Sequence, residues 1–257
     1  MIQFQVNVPL DDDTLIAHVK HALSLGLPEL RDFEYSWDGT LKVIASGPSA
    51  RQADLSGKTA AINGALRLFA ERDVAPTYWI ACDPQEKVVE FLGAIPEETV
   101  YLVASKCHPA VFERLKNRNV VLWHVHDEAT WPLIADRYPV SRGVSVTICA
   151  FEVWARLGWR KFDIWGWDGC IMDGKANVIP QDNGGGEIMV HVDDRKFLST
   201  TVWALEAQDA TMWLRGFPFP IHIHGGGLTG AILRSGSSTH VTEDPLEVEE
   251  VADAAAA

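Results

Sequence analysis

Residues 141–174 read SRGVSVTICAFEVWARLGWRKFDIWGWDGCIMDG, and their order decides the fold. From Val144 onward the apolar residues Val144, Ile148, Phe151 and Trp154 fall on one helical face, with Glu152 and Arg156 elsewhere. Gly158 stops the helix, and Arg156, Arg160 and Lys161 gather at its negative end. Phe162 to Trp165 is a short apolar run interrupted only by Asp163, as in a buried strand. It runs into Gly166-Trp167-Asp168-Gly169, an aromatic and an acid held between two glycines. Ligands of open α/β sheets bind beyond the carboxyl ends of the strands, so this loop faces the expected site. Ser141-Arg142-Gly143, at the helix start, offers free N–H groups and an arginine, a combination suited to phosphate.

Upstream, the runs Leu41–Ala45, Thr59–Ile62, Thr77–Ala81, Thr99–Ala104 and Asn119–Trp123 read as short strands. Helical stretches (Ala65–Glu71, Gln85–Leu92, Pro109–Asn117) lie between them. Such alternation predicts an α/β fold of Rossmann-like type, a mostly parallel sheet with helices on both faces. The strands end at Ser46-Gly47, Asn63, Asp83, Ser105, His124 and Gly166-Trp167-Asp168, which places polar chemistry along one edge. In Ser46-Gly47-Pro48-Ser49 the glycine permits close approach of a ligand, the proline stiffens the turn, and the serines can donate to phosphate or ribose oxygens. The same tripeptide also suits an ordinary strand-to-helix turn.

Residues 1–40 form an N-terminal preface with a helix over Asp11–Leu25, residues 41–234 the main domain, and residues 235–257 an acidic tail expected to be disordered. Downstream of Gly174, the glycines 184–186 suggest a mobile cover over a site, followed by His191, a helix over Phe197–Gly216 and a last strand over Phe219–His224.

A net charge of −13 argues against a nucleic-acid partner, which needs a basic footprint. No apolar run is long enough to span a membrane, and the N-terminus lacks a signal-peptide layout, so no membrane partner and a cytoplasmic location are expected. Cys82, Cys107, Cys149 and Cys170 contain no CxxC pair and fit reduced thiols in the core or a pocket wall. The tryptophans Trp165, Trp167 and Trp203 are candidates for stacking on a base or sugar. His222 and His224 lie at i and i+2 on one strand face, as do His124 and His126. Neither pair has a carboxylate or cysteine at ligand spacing, so no metal site is expected. Asp168 fits a site role or a turn cap, and Asp83 before Pro84 fits magnesium binding or a turn.

The order of GPS after a strand (residues 47–49), then INGA (62–65), then a proline-led strand ending in ACDP (81–84), resembles the 6-hydroxymethylpterin diphosphokinase MptE-like family. Its superfamily includes the Maf flagellin glycosyltransferases, and the run GVSVTICAFEVWARLGWRKFDIWGWDG is similar to their helix, LG break and Gly-x-Asp strand end. The same layout resembles bacterial sialyltransferases. The resemblance covers about residues 41–234. It implies that Gly47, Pro48 and Ser49, beside the candidate Ser46, meet a nucleotide and that Asn63 contacts its phosphate or sugar. It further implies that Ser141, Gly143 and Ser145 sit against the nucleoside, with Asp168 near the phosphates or acceptor and His191 as general base, while Arg142 at the helix start and Trp167 in the glycine loop are nucleotide-binding candidates from their own positions. The implied activity is transfer of a sugar from a nucleotide-activated small molecule to an acceptor hydroxyl. The alternatives are ATP-dependent diphosphoryl transfer to a pterin-like alcohol, with magnesium held by Asp83 and Asp168, and a non-catalytic nucleotide-binding protein on the same fold.

Overall fold

The computed structural model describes residues 10–33, 36–141, 145–179, 186–235 and 241–243. In chain order the elements are α1 (Asp12–Ser24), β1 (Leu41–Ile44), β2 (Thr59–Ile62), α2 (Leu66–Glu71), β3 (Tyr78–Ala81), β4 (Val100–Ala104), α3 (Pro109–Arg114), β5 (Asn119–Trp123) and α4 (Trp131–Ile134). Then come α5 (Val146–Arg156), β6 (Phe162–Trp165), β7 (Glu187–Val192), β8 (Arg195–Thr200), α6 (Thr201–Leu214), β9 (Ile221–Ile223), α7 (Leu228–Ser235) and β10 (Val241–Glu243). Eight strands form one sheet in the order β10-β9-β6-β1-β2-β3-β4-β5, and every pairing in it is parallel. β2 and β3 are buried at every residue, as they must be when both faces of a sheet are covered. The fold is Rossmann-like α/β.

Chain direction across the sheet reverses at β1. From there β2 to β5 build outward on one side, and β6 returns to the other. The reversal opens a crevice at the carboxyl ends of β1 and β6, the usual ligand position in such sheets.

Helix α5 positions that crevice. Ser145 is its extended N-cap, and the apolar face carries Phe151 into the core with no exposure. The Phe151 ring meets Phe162 of β6 at 5.2 Å, Trp167 at 5.9 Å, Trp213 of α6 at 6.0 Å and Phe217 at 6.1 Å. One side chain therefore ties the helix to the strand and to the loop beyond the strand.

The preface is anchored at the far edge of the sheet. Glu29 makes a parallel bridge to Leu122 of β5, and the Leu122 N–H donates to the Pro28 carbonyl at 2.8 Å. Glu29 is buried beside two arginines and a histidine whose pKa burial lowers. It pairs with Arg31 at 3.1 Å, with Arg137, and with His124 Nε2 at 3.4 Å, while His124 Nδ1 lies 2.9 Å from Ser105 Oγ. Two of the polar strand ends noticed in the sequence, Ser105 and His124, are thus occupied in holding the preface.

Three expectations need correction. The helix expected over Phe197–Gly216 begins only at Thr201, because Arg195–Thr200 is β8, paired antiparallel with β7. Side chains of β7 alternate between exposed and half-buried, a period of two that a helix cannot keep, and Asp193 turns the hairpin in a left-handed conformation with φ of 52°. Gln85–Leu92 holds a short 3₁₀ helix over Glu86–Phe91 instead of an α-helix. Within the stretch read as a disordered tail, Val241–Glu243 forms β10 alongside β9.

Truncating Phe151 leaves a void among the rings of Trp154, Phe162, Trp167, Trp213 and Phe217. Phe151→Ala is expected to lower stability by about 3–5 kcal/mol, measured by urea unfolding, because Phe→Ala changes in packed cores fall in that range.

Candidate functional site

Two loops meet at the crevice. The Gly47 N–H donates to the Gly166 carbonyl at 2.8 Å, and the Gly166 N–H donates to Ser49 Oγ at 2.8 Å. The Ser49 N–H in turn donates to Asp168 Oδ2 at 2.8 Å. Asp168 therefore caps the short 3₁₀ turn Pro48–Gln52 from across the sheet, and it is 97% removed from solvent. A Cβ on Gly47 would lie 2.5 Å from Asp168 Oδ2 and 2.6 Å from the Gly166 oxygen, and one on Gly227 would lie 2.5 Å from the Asp168 carbonyl oxygen. These positions take glycine because backbone packs directly on backbone.

Above this floor is a cavity of about 170 Å³, lined by Ser46, Gly47, Asn63, Ser145, Trp167 and Asp168 from the sequence-derived candidates. Its size suits a phosphate or part of a sugar more than a whole nucleotide sugar, since pockets for complete ligands run to roughly 300–1,000 Å³. Asn63 sits in a left-handed conformation with φ of 47°, and its carbonyl accepts from Trp79 Nε1 at 2.9 Å, which fixes the residue at the end of β2. Three buried polar atoms on the cavity wall have no hydrogen-bond partner among the described residues: Asn63 Oδ1, Ser145 Oγ and Trp167 Nε1. Such orphans are rare in folded proteins, and three at one cavity call for a ligand to satisfy them. Ser145, Val146 and Thr147 on the wall are the first turn of α5, so the positive end of its dipole faces the same space.

The remaining candidates lie elsewhere. Pro48 and Ser49 belong to the capped turn beneath the cavity and do not line it. Asp83 Oδ1 accepts from the Gln85 N–H at 2.9 Å, a local turn, and is not on the cavity wall beside Asp168. The Ser141 N–H donates to Glu152 Oε2 at 2.9 Å and lines a separate groove with Arg156 and Trp213. His191 is exposed on β7, opposite Lys196, and borders another depression between the hairpin and α6. Arg142, Gly143 and the first two glycines of the run 184–186 lie outside the described residues.

Sequence reasoning passed over Thr147, Asn177, Glu206 and Thr229, all on the cavity wall. Glu206 matters most. Burial, with Asp209 beside it, pushes its carboxyl up to about 8. Burial also raises Asp168, against the lowering effect of its bonds from Ser49. Helical spacing on α6 carried no sign that Glu206 turned inward. The four cysteines are buried thiols outside any disulfide, and Cys170 forms part of the wall, as expected. Near Cys82, a hydrogen bond involving Cys149 and the ammonium of Lys106 bring the thiol down to about 7. At the other edge of β6, a carboxylate that the sequence did not place beside His222 and His224 is present: Asp163 lies 3.5 Å from His222 Nδ1.

No family model matches the chain, and no curated protein matches it significantly. Among solved structures, it is similar to a Maf glycosyltransferase from Magnetospirillum magneticum AMB-1, with a TM-score of 0.64 at 12% identity. The match covers 93% of this chain and 39% of that one, so the chain spans well under half of that protein's length. At such identity the likeness is one of fold. Among the described residues no helix is long and apolar enough to cross a membrane.

Two outcomes follow from the geometry. Gly47→Ala should lower the melting temperature and disturb the cavity, whereas Gly93→Ala, where a Cβ meets nothing within 4 Å, should do neither. Between the ordinary 4.5 and about 8, folded Glu206 keeps a proton that the unfolded chain has lost, so it reduces stability as pH rises through that window. Glu206→Gln should therefore raise the melting temperature over the parent more at pH 8 than at pH 5, read by differential scanning calorimetry.

Proposed function

We propose that the chain transfers a glycosyl group from a nucleotide-activated donor to an acceptor hydroxyl, with the donor phosphate in the cavity between β1 and β6. The observation that carries this is the meeting, at the topological switch point, of a helix N-terminus with the unpartnered Asn63, Ser145 and Trp167 atoms. The fold shared with a Maf glycosyltransferase supports it. In this proposal Ser145 and the first N–H groups of α5 hold phosphate oxygens. The Asn63 amide reaches a phosphate or sugar hydroxyl, and Trp203 offers a face for stacking.

The acceptor oxygen attacks the anomeric carbon, the bond to the donor phosphate breaks with its electron pair, and the acceptor's proton passes to a carboxylate. Glu206 takes that role here in preference to His191, because it lines the cavity. Asp168 acts on the site by fixing the two loops, and stabilisation of the departing phosphate falls to the α5 terminus. An ATP-dependent diphosphokinase would need magnesium, and Asp83 and Asp168 do not share the cavity that such an ion would occupy.

A thermal-shift series with CMP, UDP, GDP and ATP, each with and without magnesium, tests the proposal. Stabilisation by CMP, UDP or GDP without ATP supports it and names the donor class. A response to ATP with magnesium alone points to diphosphoryl transfer, and no response to any nucleotide sinks both. Once a donor is known, kcat/KM should rise with pH through about 8 as Glu206 of the free protein ionises. Glu206→Gln should abolish that rise and lower kcat by roughly 10²–10⁴-fold, the usual contribution of a general base, with donor binding retained.

A further inference from the structure

We infer that Asp163, His222 and His224 form a binding site for a divalent transition-metal ion, with zinc the first to test. The three residues come from neighbouring strands. Asp163 of β6 is in register with His222 of β9, and His224 follows two residues later at the end of that strand. Strand alternation puts Asp163, Trp165, His222 and His224 on the sheet face opposite Phe162, Ile164, Ile221 and Ile223, which are buried.

The distances suit a metal. Asp163 Oδ1 is 3.5 Å from His222 Nδ1 and 3.8 Å from His224 Nε2, and one ligand-type atom from each residue lies within 4.8 Å of the others. Donors about 2.0–2.1 Å from a tetrahedral zinc ion stand ~3.3–3.4 Å apart, so the carboxylate-to-imidazole spacings need to close by only about half an ångström or less. All three residues are half-buried. The His224 ring is stacked on Trp165, with centroids 3.8 Å apart and planes 5° from parallel, which holds its orientation. Lys42, the neighbour of Asp163 on β1, directs its ammonium to Asp54 at 2.5 Å, so a nearby cation is already neutralised.

Two imidazoles and one carboxylate are a donor set for borderline divalent ions, zinc among them, and not for calcium or magnesium. An ion there joins β6 to β9, the two strands whose loops close around Asp168, without entering the cavity. The inference stands apart from the proposed transferase activity, and its test reads metal binding alone.

The full chain, stripped with EDTA and dialysed against zinc, should take up one equivalent measured by mass spectrometry of metal content, with a raised melting temperature that EDTA reverses. Asp163→Asn and His224→Gln should each weaken binding beyond the roughly 10–100-fold typical of losing an outer-shell partner. His126→Gln should bind as the parent does. Each variant's melting temperature in EDTA shows whether it folds. Should either fail to fold, the visible spectrum of the cobalt-loaded parent decides: a tetrahedral or five-coordinate signature upholds the site, and an octahedral one overturns it. Uptake of no stoichiometric zinc by the parent, or equal uptake by Asp163→Asn and His224→Gln, also overturns it.

Discussion

Between the loops that follow β1 and β6 there is no space for a side-chain carbon. Gly47 packs on Gly166 and on the Asp168 carboxylate, Gly227 packs on the Asp168 backbone, and a Cβ on Gly225 would come within 2.8 Å of Ser49. Everything that makes the crevice specific depends on that closeness. It lets one carboxylate cap a turn on another strand, brings the end of β6 against the start of the 3₁₀ turn, and leaves a cavity whose walls come from α5, β2 and α6. The hydrogen bonds across the contact are three of about 2.8 Å, and the two made by Ser49 are buried, where unmade bonds are most expensive.

Much of this was legible in the residues. Helix α5, strand β6 and the Gly-Trp-Asp-Gly loop follow from apolar spacing and the two glycines, and β2, β5 and β6 begin and end where their apolar runs do. The parallel character of the sheet was legible too, because alternating strands and helices imply βαβ units, whereas the strand order was not. What escaped was information carried by tertiary neighbours. Nothing local distinguishes Asp168 as a clamp from Asp168 as a catalyst, and the structure shows the clamp directly. Glu206 lies on a helix with weak polar-apolar segregation, so its inward turn is decided by α7 and the cavity and not by spacing. Strand β8 was missed because Phe197 and Leu198 lead directly into the apolar residues of α6, and only the period changes at Thr200. Asp163 interrupted an apolar strand without explanation until β9 was placed beside it.

The electrostatics of the cavity are mixed in a way that bears on what enters. Two carboxyls border it, yet both are pushed by burial toward their neutral forms, and the α5 terminus contributes positive potential. An anion arriving near neutral pH therefore meets less repulsion than two ionised acids would produce. By the same linkage, a bound anion would hold Glu206 protonated to higher pH, whereas a bound cation would release its proton.

At the opposite end of the sheet, Pro28 and Glu29 lie along β5 and take up its outward-facing hydrogen-bonding positions around Leu122. An unpaired edge strand is a template on which another chain can extend the sheet. Proline offers no N–H for such an extension, and Glu29 is locked by Arg31, Arg137 and His124. The preface thus works as a local seal: around Leu122 the outer edge of β5 is already taken by this chain's own backbone, and no second strand can pair there.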